Sequence, residues 1–303
     1  MKFVVLALLI VSALAEDINY DPIDSSSAVR RSELPGFWDG KDFPRILSAS
    51  FARSPRIVGG TPVNPAHSAN YIALLNVNFP FGIALCGGSI LTNRAILTAA
   101  HCIHESTHTL LIVGVHNRHV IEPSQQRRTI LPLRYVNHPL FNARTLNSNI
   151  AILHIDSPLT MTLQVGVVRL PPEGSPELFA NENARSLGWG RVNNTGPTSS
   201  ILMQAFNTVI TNALCAPSFA PGIVSDTTLC VSTSATGGQG ACHADEGGVL
   251  DIQRLPGNPM QIGITSFFAP AGCVTGLPIG YTRITNFRGW ITQNTVPPNP
   301  PLP

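Results

Sequence analysis

The chain has 303 residues, 44% of them hydrophobic, and a formal net charge of +2 from 19 basic and 17 acidic side chains. So even a balance argues against nucleic acid or anionic lipid as a partner, because both are recognised through a strong basic excess. The length is enough to bury a substantial core, as one domain or as two packed barrels.

Lys2 precedes an apolar run from Phe3 to Ala13, and Ala13-Leu14-Ala15 has the small-x-small form of a cleavage site. The run is too short to span a bilayer, so residues 1–15 read as a signal peptide of a secreted protein rather than as a first core segment. No later stretch is long and apolar enough for a membrane helix. Residues 16–56 are polar, with Glu16, Asp17, Asp21 and Asp24 followed by Arg30-Arg31 and scattered prolines, a composition that suits a pro-segment.

After Arg56 the chain turns to apolar runs broken by Gly, Pro and Asn. The stretches Tyr71 to Val77, Ala95 to Thr98, Leu110 to Val113, Ile150 to Ile155 and Ile262 to Phe268 have the length and β-branched content of buried strands. They predict an all-β domain over residues 57–294. Its one good helical segment is Asn286 to Asn294, and residues 295–303 are a proline-rich tail that cannot prolong it, because proline lacks the amide hydrogen.

All six cysteines lie after Arg56, an even number in a secreted chain, and favour three bridges; sequence alone allows fifteen pairings. No Cys-x-x-Cys pair suggests zinc, and the neighbouring His101, His104 and His108 read as a solvated face rather than a metal site. No cofactor is expected. All 12 basic residues after Arg56 are arginine. That either reflects compositional drift or suits an alkaline fluid, since lysine titrates near 10.4 and arginine above 12. Asn193-Asn194-Thr195 is an N-glycosylation acceptor in a loop that also holds Gly and Pro.

Several motifs carry a family resemblance. Arg56-Ile57-Val58-Gly59-Gly60 resembles the activation site of the trypsin and chymotrypsin superfamily, and Leu97-Thr98-Ala99-Ala100-His101-Cys102 resembles its catalytic-histidine motif. Cys86-Gly87-Gly88-Ser89-Ile90, Gly188-Trp189-Gly190 and Trp290-Ile291 are similar to further landmarks of that superfamily. Ser266-Phe267, Gly272-Cys273 and Gly276-Leu277-Pro278 most resemble its arthropod chymotrypsin and collagenase-like branch. The resemblance implies two packed antiparallel β-barrels with bridges Cys86 to Cys102, Cys215 to Cys230 and Cys242 to Cys273. It also implies a trypsin-like protease that cleaves after Arg56, freeing an Ile57 ammonium to pair with Asp245; a relic cut without consequence is the bland alternative.

Catalysis in this superfamily needs a serine nucleophile, a histidine base and an aspartate that orients the histidine. His101 matches the base. The stretch resembling the aspartate motif reads Ser148-Asn149-Ile150-Ala151-Ile152, so Asn149 stands for the aspartate. The nucleophile stretch reads Cys242-His243-Ala244-Asp245-Glu246-Gly247-Gly248-Val249, so Glu246 stands for the serine. Ala244 replaces the glycine that donates one oxyanion-hole amide, and an alanine is expected not to reach the glycine-type backbone conformation without strain. The specificity pocket maps to Gly240 at its base, Ser266 beside it, and Phe268 and Ile279 as walls, which predicts a pocket filled by the protein itself.

Glu246 is expected to pair with His101 and plug the site; the sharper alternative is a new hydrolytic or metal site of Glu246, His101 and His243. The function expected is therefore a secreted protease homologue without peptidase activity, acting on a protein partner as protease cofactor, inhibitor decoy or recognition protein. The alternatives are an active hydrolase with an atypical site and an inert storage or structural secretion.

Overall fold

The computed structural model describes residues 59–254 and 257–296. The stretches expected to be a signal peptide and a pro-segment, with Arg56, Ile57 and most of the proline-rich tail, lie outside the described residues.

Two seven-stranded antiparallel sheets make up the body. The first runs in the order Gln126–Ile130, His108–Val113, Ile72–Phe79, Gly82–Thr92, Ala95–Thr98, Ala151–His154 and Tyr135–Asn137. The second runs Thr61–Pro62, Met203–Ile210, Thr228–Ser232, Ile279–Arg283, Met260–Phe267, Val249–Ile252 and Asn183–Gly188. Asn183–Gly188 pairs back onto Met203–Ile210, which closes the second sheet into a barrel without open edges among those strands. The fold is the all-β, two-barrel arrangement expected from the motifs.

Strand burial follows the side-chain pattern. Met203–Ile210 alternates buried and more exposed residues, as a strand with one wet face does, whereas every residue of Met260–Phe267 and Ile279–Arg283 is buried. One core gathers Leu75, Ile90, Leu97 and Ile152 within the first sheet; a second gathers Val209, Val231, Ile262 and Tyr281 within the other. A third cluster, with Leu85, Leu187, Trp189 and Val249, packs the barrels together.

A polar knot crosses the same boundary. Arg185 faces Asp251 in register on adjacent strands and donates Nε to Oδ1 at 3.1 Å and Nη2 to Oδ2 at 3.0 Å, while Tyr71 donates its hydroxyl to Oδ2. Removing one member of such a buried pair leaves the other charge uncompensated, at a cost of about 3–5 kcal/mol.

The sequence places the C-terminal helix at Asn286 to Asn294; the structure divides this segment into a 3₁₀ turn, Ile284–Phe287, and an α-helix, Arg288–Asn294. Ile284, Phe287 and Ile291 pack into the core of the first sheet, so the end of the chain clasps the opposite barrel.

Candidate active site

His101 sits on a single helical turn, Ala100–Ile103, which the Cys86–Cys102 bridge ties to strand Gly82–Thr92. Asn149 enters from the segment before strand Ala151–His154, and Ser266 from the bulged end of strand Met260–Phe267. Asn149 is wholly buried and uses its amide fully. Its Oδ1 accepts the His101 backbone N–H at 2.9 Å; its Nδ2 donates to Ser266 Oγ at 2.8 Å and faces His101 Nδ1 at 2.7 Å.

These contacts fix the tautomer of His101. A backbone N–H can only donate, so the Asn149 oxygen must face it and the NH2 group must face Nδ1. Neutral His101 then accepts at Nδ1 and carries its proton on Nε2, the nitrogen that a general base keeps free. An aspartate in the same place would accept at both oxygens and select the opposite tautomer.

Asp245 and Glu246 follow one another and behave differently. Asp245 points inward, where Oδ1 accepts from the Gly190 amide at 2.6 Å and Oδ2 from the Cys242 amide at 3.0 Å. Gly188 and Gly190 leave this room: a Cβ on either would come within 2.4 Å of the carboxylate. Burial raises the Asp245 pKa to about 7, with the Glu246 charge adding to it and the two amide bonds opposing.

Glu246 curls back onto its own loop. Its Oε2 accepts the Ala244 backbone N–H at 2.6 Å and its Oε1 lies 3.4 Å from His243 Nδ1. Burial raises its pKa. The hydrogen bond and charge of His243, the charge of His101 and its own backbone amide outweigh that and hold it below the usual range. The carboxylate is thus ionised where the superfamily would stabilise an oxyanion.

Ala244 takes up the glycine-type conformation, with the strain expected of an alanine there. Ala244 adopts φ 76° and keeps its amide directed at the Glu246 carboxylate. A non-glycine residue in this region is strained by roughly 1–3 kcal/mol. A charge-assisted hydrogen bond of the Ala244 type is worth about 1.5–3 kcal/mol and offsets that strain.

The pocket residues come together as a packed mass. The tip of Ile279, itself 1% exposed, lies 2.7 Å from where a Cβ on Gly240 would stand. At the other end, the rings of Phe268 and His243 meet edge to face with centroids 5.0 Å apart. Phe267 packs over Gly280 and against Phe219, its ring 5.0 Å from that of Phe219.

The three bridges join Cys86 to Cys102, Cys215 to Cys230 and Cys242 to Cys273. The histidines near position 101 point to separate neighbours: His104 packs against Phe141 and lies beside Glu105, and His108 contacts Thr107. Among the described residues no group of three or more His, Cys, Asp or Glu side chains could hold a metal ion. Nor is any helix among them long and apolar enough to cross a membrane. The pairing of Ile57 with Asp245 falls outside the described residues. Sequence reasoning missed the edge-to-face contact of His243 with Phe268 and the cradle of Gly188 and Gly190, since both depend on loops that meet from distant parts of the chain.

The fold and the inward-facing remnants of a triad define the class: a two-barrel serine-protease scaffold. The family model for trypsin matches residues 57–291, and the chain belongs to the trypsin family. It is 34% identical to a collagenase of Hypoderma lineatum over 69% of this chain and 76% of that protein. It is 33% identical to brachyurin of Leptuca pugilator over 79% of this chain and 98% of that protein. A solved structure of HL collagenase superimposes with a TM-score of 0.69 at 31% identity, covering 78% of this chain and 98% of its own.

Proposed function

We propose that this chain is a secreted, non-catalytic member of the trypsin family that acts by binding a protein partner. The observation that carries this reading is the Glu246 carboxylate seated on the Ala244 amide, where a hydrolytic cycle needs an empty donor. Two others support it. His101 is held in the tautomer that cannot take a proton at Nε2, and Ile279 and Phe268 occupy the space a substrate side chain would enter.

The apolar run before Ala15 supports secretion. Processing after Arg56 by a trypsin-like protease would free the Ile57 ammonium, and Asp245 is the buried carboxylate suited to receive it. The partner classes that fit are an active protease, a protease inhibitor or an extracellular ligand.

The test is turnover of a broad peptide library by the protein cleaved after Arg56, beside Glu246→Ser, Glu246→Ser with Asn149→Asp, and His101→Ala. No turnover by the unaltered protein is expected. Turnover that His101→Ala abolishes would instead make the chain an active hydrolase with a site built around Glu246.

A further inference from the structure

The loop that follows strand Asn183–Gly188 carries the one Asn-x-Thr sequence of the chain, at Asn193. Its two asparagines are used differently. Asn194 turns inward, where Oδ1 accepts from the Cys273 amide at 2.9 Å and lies against Gly272. Asn193 Oδ1 accepts from the Thr195 amide at 3.0 Å and from the Gly196 amide, and among the described residues its Nδ2 makes no hydrogen bond. Thr195 is exposed. The local turn therefore fixes the oxygen and leaves the nitrogen available, with the hydroxyl-bearing residue two positions on open to an enzyme.

We propose that Asn193 carries an N-linked glycan, and that this glycan fences the rim of the vestigial cleft. In the transfer, the Asn193 Nδ2 forms a bond to the anomeric carbon of a lipid-pyrophosphate-linked oligosaccharide. The bond from that carbon to the pyrophosphate oxygen breaks, the lipid pyrophosphate leaves, and the amide gives up one proton.

The position makes the modification consequential. The Asn193 carbonyl oxygen lies 3.8 Å from Cys242 Sγ, and the Arg191 amide donates to the His243 carbonyl at 2.7 Å. The loop thus rests on the Cys242–Cys273 bridge, beside the His243 ring that closes on Phe268. A glycan planted there stands over the closed pocket mouth and keeps protein-sized ligands from that side. Among the partner classes above, an inhibitor that grips the substrate cleft is disfavoured, and a partner docking elsewhere on the barrels is favoured.

The proposal rests on secretion but not on loss of catalysis, and the experiment separates them. The full chain, expressed in a eukaryotic secretory host, is recovered from the medium and treated with peptide N-glycosidase. A loss of one glycan's mass is expected, absent from Asn193→Gln and Thr195→Ala and retained in Thr195→Ser. Secreted protein with no glycan would overturn the proposal alone; a chain that never enters the secretory pathway would overturn secretion with it.

The fence is read separately, with an azide-bearing residue introduced as Thr275→p-azidophenylalanine on the exposed turn beyond Cys273. A small cyclooctyne dye should label the glycosylated protein and its Asn193→Gln form at equal rates. A cyclooctyne on a long polyethylene glycol should label the glycosylated form several-fold more slowly. Equal rates for the large reagent would overturn the fence.

Discussion

The two sides of the cleft depart from the superfamily's catalytic arrangement in different ways. On the side of His101, Asn149 and Ser266, the hydrogen-bond frame is complete and only the chemistry of one atom pair is reversed: an NH2 group faces Nδ1 where an oxygen would. On the side of Ala244, Glu246, Ile279 and Phe268, space itself is taken, by a carboxylate on the amide and by apolar side chains below and beside it. A change of atom type is reversible by one isosteric substitution. A filled space is part of the core, and reopening it costs stability.

The largest effect should come from the reversible side. In a protein carrying Glu246→Ser, Ile279→Gly and Phe268→Gly, adding Asn149→Asp should raise kcat on a small activated ester by about four orders of magnitude. That value belongs to the superfamily's reference enzyme and is applied here by analogy. The same Asn149→Asp change made without opening the pocket should give little turnover on peptides. Equal turnover with the pocket closed would show that both sides are silenced by chemistry alone.

Next is the buried Asp245, which supports the filled side from below. Before cleavage after Arg56 its folded pKa is about 7, against about 3.9 for an aspartate in the unfolded chain. The folded state therefore holds a proton that the unfolded chain has released. Stability from this group is fully present below about pH 4, falls as pH rises towards 7, and then levels, a change of about 4 kcal/mol across the window. Urea midpoints between pH 4 and 8 should show this slope and lose it in Asp245→Asn. Cleavage after Arg56 should also flatten it, since an inward ammonium would hold Asp245 ionised; a slope unchanged by cleavage would make the activation sequence a relic.

The filled side should also respond to Ile279→Ala. Ile279 belongs to the core shared by Val209, Val231 and Tyr281, so its truncation should cost about 3 kcal/mol by urea unfolding. Asn149→Asp, which keeps the volume, should move the midpoint far less. A cost near zero for Ile279→Ala would mean that the pocket is a solvated recess merely lined by isoleucine.

The folding frame and the replaced positions were legible in the sequence because each rests on a short local pattern. Cysteine next to histidine placed His101, and Asp245-Glu246-Gly247-Gly248 marked the position that Glu246 holds. The conduct of Glu246 was not legible. Whether it meets His101 alone or turns to the Ala244 amide and His243 depends on the backbone direction of one residue. The knot of Tyr71, Arg185 and Asp251 joins residues 66 to 180 apart and leaves no local trace.

His154 is hidden for the same reason, and it provides the smallest test. It ends strand Ala151–His154 in the first sheet, 2% exposed, and among the described residues neither of its ring nitrogens has a hydrogen-bond partner. Burial lowers its pKa, and the nearby Arg134 charge adds to that. The unfolded chain therefore takes up a proton at His154 before the folded one does. Stability from this group is present above about pH 6.5 and is lost as pH falls from there towards the folded value, the reverse of the Asp245 slope. Measured in an Asp245→Asn background, which removes the opposing trend, the midpoint should fall between pH 6.5 and 5, and His154→Leu should abolish that fall. If the fall persisted in His154→Leu, the acid sensitivity would have to come from another histidine whose pKa burial lowers, His116 or His138.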